Sequence, residues 1–145
     1  MKAENSSFST KRTGKTIAGL FVILLLVSMI ACKKTAGEGG TSSIKGTIVV
    51  EDWNKSFTIK NGEYPGFDED VYIIYGDDIN YGDRTKANNK GEFEFKYLRK
   101  GKYKIYVYSE DKTLQAVSGT ISIEKTAEIS KNKSTVTVEE FRIYK

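Results

Sequence analysis

Cys32 is the only thiol in 145 residues and histidine is absent. The commonest general base, the usual zinc ligand and every His-containing triad are therefore missing. A lone thiol forms no intramolecular disulfide, so the position of Cys32 matters more than its redox state. Carboxylates remain, but glycoside hydrolysis needs two of them fixed across a cleft, and here most alternate outward on predicted strands. The residues thus point away from catalysis. Two acidic groups, Asp68-Glu69-Asp70 and Asp77-Asp78 with Asp83, flank one predicted strand. A hard cation such as calcium accepts oxygen ligands from such loops. Their spacing matches no EF-hand, and the plainer reading is solvated loop carboxylates that keep strand ends from pairing.

The aromatic residues offer the other chemistry. Tyr106 and Tyr108 alternate with Tyr103, Ile105 and Val107, and Tyr72 alternates with Val71 and Ile73. Period-two alternation sends the two sets to opposite faces of a sheet, so the three tyrosines form an outward row. Such a row stacks on sugar rings or anchors a protein partner; alternatively it is cross-strand packing. Trp53 reads equally as core or as a platform.

Those side chains are positioned by a strand-rich chain. In the stretch from Asn88 to Tyr108, Phe93, Phe95 and Leu98, then Tyr103, Ile105 and Val107, oppose Glu92, Glu94, Lys96, Lys102 and Lys104. This predicts two half-buried strands joined as a hairpin by a short glycine-bearing turn. Gly91 and Gly101 stand where the chain needs a positive φ or a close backbone approach. Leu98 leaves the alternation and is expected to plug an open end of the core. Tyr103 is expected to bury its ring and return its hydroxyl to nearby backbone. Further strands are predicted over residues 44–50, 71–75, 84–87, 114–117, 120–123, 126–129 and 136–143, with turns at Asn54, Asn61-Gly62, Glu110-Asp111, Ser118-Gly119 and 131–133. Nine tyrosines and seven phenylalanines suit the same reading.

Upstream, residues 1–16 are polar and basic and residues 17–31 are an unbroken apolar run ending at Ala31. A charged segment, an apolar segment and a small residue at the cut make a secretory leader, too short to span a bilayer comfortably. Most of the net charge of +4 sits there: Lys2, Lys11, Arg12 and Lys15 against Glu4 leave 19 basic and 18 acidic residues after Ala31. The exported part is nearly neutral and carries no basic stripe, which argues against nucleic acid. Residues 32–43, with KKTAGEGGTSS after the cysteine, read as a flexible tether with a root-mean-square span of roughly 18 Å.

Met29-Ile30-Ala31-Cys32 resembles the lipobox of bacterial lipoproteins, with Met29 in place of the commoner Leu. The resemblance implies cleavage before Cys32 and acylation of that cysteine, palmitate included, so that several chains hold the protein to a membrane. Lys33 rather than Asp after the cysteine implies the outer membrane, with the domain in the periplasm and surface display left open. Gly91-x-Phe93-x-Phe95-x-x-Leu98-x-x-Gly101-x-Tyr103-x-Ile105-x-Val107 resembles the core motif of the carboxypeptidase regulatory-like domain family. Gly46-Thr47-Ile48, and Pro65 followed by Val71, resemble its first two strands. Asn88 stands where that family has Asp, and Asp68 where it often has Gly. The resemblance implies a transthyretin-like, Ig-like β-sandwich of about seven strands over residues 44–145, and no peptidase activity.

The sequence thus predicts a lipid-anchored envelope protein without cofactor, displaying a non-catalytic binding or scaffolding module. A protein partner is the first expectation and a carbohydrate the second. The candidate site residues are Trp53, Tyr72, Tyr106 and Tyr108 for ligand, Cys32 for lipid, and Asp77, Asp78 and Asp83 for calcium.

Overall fold

The computed structural model describes residues 35–145; the predicted leader, the lipobox and Cys32 lie outside the described residues. Among the described residues no helix is long and apolar enough to cross a membrane, and the elements are nine strands in two sheets. They are β1 (Glu38–Trp53), β2 (Lys60–Pro65), β3 (Asp70–Tyr75), β4 (Asp83–Lys86), β5 (Glu92–Leu98), β6 (Gly101–Glu110), β7 (Thr120–Ile129), β8 (Thr135–Thr137) and β9 (Phe141–Tyr144). The chain is an all-β sandwich, with nine strands among the described residues rather than the expected seven.

Long β1 organises the first sheet. It pairs antiparallel with β5 through its first half and with β2 through its second, and parallel with β8 and β9. The second sheet runs β4-β3-β6-β7, antiparallel throughout. Alternation fills the space between them. Ile44, Ile48, Val50, Phe93, Phe95, Phe141 and Ile143 come from the first sheet, and Val71, Ile73, Tyr103, Ile105, Val107 and Ile129 from the second, all buried. Fully burying each such side chain contributes about 1.5 to 3 kcal/mol, against the entropy of ordering it.

Residues 92–110 do not form the expected hairpin. β5 pairs with β1 and β6 with β3 and β7, so the short connection is an arch from one sheet to the other. Tyr97 has a φ of 58° and is exposed where strict alternation would bury it, and this local reversal turns Leu98 into the core. At the far side, Gly101 has a φ of 149°, and a Cβ there would meet that of Ala36 at 2.6 Å. The periodicity gave the faces of both strands correctly, but period two cannot tell a turn within a sheet from a step between sheets.

Other boundaries differ as well. β1 begins six residues before Ile44, so half of the predicted tether belongs to the fold. Ser42 and Ser43 are buried; the Ser42 hydroxyl donates to Lys131 O and that of Ser43 lies 3.0 Å from Thr135 Oγ1. Small polar residues look like a linker until the partners that satisfy them are known. Asn61 and Gly62, read as a turn, lie inside β2. The two strands predicted within residues 120–129 are one, that predicted over 136–143 is two, and residues 114–117 form a loop. Asn54 does make its turn, its side-chain oxygen accepting from the N–H groups of Thr58 and Ile59.

Candidate functional site

The outer face of the second sheet carries the aromatic row. Val71 and Ile73 on β3, and Ile105 and Val107 on β6, are buried to 1% exposure or less; that fixes the phase of both strands and turns Tyr72, Tyr106 and Tyr108 outward. The register sets Tyr72 opposite Tyr106. Their rings stack with centroids 4.9 Å apart and planes 11° from parallel. Tyr108 meets Tyr72 edge-on at 5.8 Å and Tyr106 at 5.7 Å, both within the range of favourable aromatic pairing. The expected cross-strand packing and an exposed surface therefore coexist, for Tyr108 remains 50% exposed.

A fourth ring joins them. Tyr81, from the β3–β4 loop, meets Tyr72 edge-on at 5.2 Å and is 54% exposed. Sequence reasoning missed it because it lies in a loop without alternation; its one signal was a tyrosine within a polar segment. The strand row continues on either side, with Arg84 of β4 opposite Tyr72 and Glu124 of β7 opposite Tyr106. The Tyr72 hydroxyl and then the Asp70 carboxylate hold the Arg84 guanidinium still more firmly in its charged form. Burial, and then the neighbouring Tyr108, push the Tyr106 hydroxyl above the ordinary phenol range and keep it neutral.

Trp53 is not part of this cluster. It ends β1, half-buried, with its indole N–H donating to Glu51 Oε2 at 3.3 Å. The Lys112 ammonium lies 3.8 Å above its ring and 5.1 Å from that of Tyr144, while Phe57 meets Tyr144 edge-on. One face of the indole is thereby covered by a cation of the chain itself.

The carboxylates of the acidic loops are kept apart. Among the described residues no three histidine, cysteine or carboxylate side chains converge to hold a metal ion. Asp77 and Asp78 are exposed, and Asp83 accepts from the Arg84 backbone N–H at 2.7 Å. The other group is matched by cations: Asp68 with Lys86 at 2.8 Å, Glu69 with Lys145 at 3.2 Å, and Asp70 with Arg84 at 3.8 Å. Carboxylates adjacent in sequence were drawn to different neighbours. A groove of about 510 Å³ is lined by Lys45, Thr47, Lys86, Asn88, Glu92 and Glu94 among others. Its two carboxylates are engaged locally, Glu92 by the Asn88 amide at 3.0 Å and Glu94 by Lys96 at 3.5 Å.

No protein-family model and no curated protein matches the chain. Among solved structures it is similar to a Pseudomonas aeruginosa protein proposed to bind carbohydrate, at 13% identity and a TM-score of 0.43, covering 77% of this chain and 92% of that one. An (S)-allantoin synthase is similar at 11% identity and a TM-score of 0.38, covering 93% and 53%. A 9R-lipoxygenase from Cyanothece PCC8801 follows at 13% and 0.36, covering 89% and 23%. At such identities and TM-scores no site is carried from these proteins to this chain.

Proposed function

We propose that the chain is a bacterial envelope lipoprotein, held to a membrane through Cys32, whose carboxypeptidase regulatory-like sandwich binds a protein partner with the outer face of β4-β3-β6-β7 and catalyses nothing. The anchoring part rests on the leader and lipobox-like residues. The binding part rests on one observation: Tyr72, Tyr81, Tyr106 and Tyr108 form a joined cluster beside Arg84. Tyrosine and arginine are the residue types that dominate interface hot spots, because both give large contact area with a polar end. The rings fix one another, so little side-chain freedom is lost on docking.

A second reading is a carbohydrate-binding face. The half-exposed rings of Tyr81 and Tyr108 favour it; the mutual stacking of Tyr72 and Tyr106 disfavours it, since each hides a ring face that a sugar would need. A photo-cross-linking amino acid at Tyr108 of the full chain, in intact membranes, separates the two. The protein reading expects a discrete protein adduct there and none from the same probe at Lys96, on the other sheet. No adduct, together with glycan-array binding that disappears in Tyr108→Ala, would replace it with the carbohydrate reading.

A further inference from the structure

We infer that the partner of the tyrosine face is a second copy of this chain, packed sheet to sheet about a twofold axis running along the strands; this rests on the reading of that face as a protein-binding surface. One row crosses the sheet: Arg84, Tyr72, Tyr106 and Glu124, one residue from each strand. It has a cation at one edge, two stacked rings in the middle and an anion at the other edge. Arg84 is 54% exposed and lies 3.8 Å from Asp70. Glu124 is exposed and makes no salt bridge among the described residues.

Two identical sheets can meet face to face about an axis across the strands or one along them. An axis across the strands, through this row, lays it on its own image. Arg84 then faces the partner's Arg84 and Glu124 the partner's Glu124, and like charges so placed repel. An axis along the strands, between β3 and β6, reverses the row. Arg84 then lies over the partner's Glu124, and Tyr72 over the partner's Tyr106, twice by symmetry. The adjoining row, Ile74, Lys104 and Thr126, puts Ile74 over the partner's Lys104 and brings no like charges together. Of these two axes through the row, the charge pattern favours the one along the strands, which gives a self-complementary isologous interface, and aligned sheets pack in this way at about 30°.

The same axis satisfies a condition the row knows nothing of. The chain enters the sandwich at one end of this sheet: the Gly37 N–H donates to the Tyr103 hydroxyl at 3.0 Å, and the Tyr75 hydroxyl donates to Glu38 at 3.1 Å. An axis along the strands keeps both entry points at the same end, so two chains anchored in one membrane can pair without either turning over. The face is narrow, about 15 to 20 Å across four strands at the usual spacing. It is therefore weak in dilute solution and gains its occupancy from the raised effective concentration of two anchored chains.

The test follows the Tyr108 photo-adduct in membranes carrying two differently tagged full-length copies. Self-adducts joining the two tags are expected, about tenfold fewer in Arg84→Glu or in Glu124→Arg. Membranes holding Arg84→Glu on one tag and Glu124→Arg on the other are expected to recover them, which also shows that both variants fold. Single variants that cross-link like the parent would overturn the twofold arrangement. An adduct only to a different protein would overturn self-association while leaving the protein-binding reading in place, and no protein adduct would remove both.

Discussion

Asp111 lies buried just beyond β6, and its carboxylate accepts from the Thr113 hydroxyl at 2.7 Å and from the N–H groups of Thr113, Gln115 and Ala116 at 2.7 to 2.8 Å. The Thr113 hydroxyl and then the Ala116 N–H lead in holding its pKa down, from 3.8 to about 2. A carboxyl whose pKa is lower folded than unfolded stabilises the fold above the unfolded value and loses that contribution as pH falls through the folded one. Loop 111–119 is thus expected to loosen between pH 4 and 2. Melting curves of the parent and of Asp111→Asn should converge over that interval, because only the parent loses a charged acceptor. Curves that stay parallel would show that the carboxylate is not what holds the loop. Sequence reasoning read Glu110-Asp111 as a turn and a strand after it. It found the right place but the wrong structure, since residues 114–117 are apolar enough for a strand yet two of them, Leu114 and Val117, stand in solvent.

Elements show where pattern reading succeeds and stops. Alternation assigned the inward and outward faces of β1, β3, β5 and β6 correctly and put the Tyr103 hydroxyl on backbone, where it donates to Arg99 O at 2.6 Å. What alternation lacks is any measure of which strands are neighbours, and so the arch from β5 to β6 was read as a hairpin. β7 carries one further exception to the pattern. Its inward positions, paired with inward residues of β6, include Lys125, whose ammonium lies 3.1 Å from Glu139 and 5.6 Å from the Phe141 ring. β7 is an edge of its sheet, and an inward charge on an edge strand disfavours the addition of another strand. Lys125→Val is therefore expected to fold with a melting temperature near that of the parent but to aggregate faster, as light scattering at 37 °C would measure. Unchanged scattering would deny Lys125 this guarding role.

At the scale of the whole molecule, the sandwich core was legible because burial imposes a period on strands. The tether was misjudged because its serines and glycines reveal their partners only in three dimensions. β1 starts at Glu38, and Gly37 stands five residues after Cys32, a reach of about 18 Å at full extension. Anchoring and folding are separable. The core draws on residues from Ile44 onward, so removing the thiol should leave it intact. Intact-mass measurement of membrane extracts is expected to find the parent without residues 1–31 and carrying two or three acyl chains, and Cys32→Ser with its leader retained and no acyl chain. Both should melt within about 2 °C of each other. A parent chain with its leader attached and no added acyl mass would end the lipoprotein reading and, with it, the reason for two copies to stand side by side.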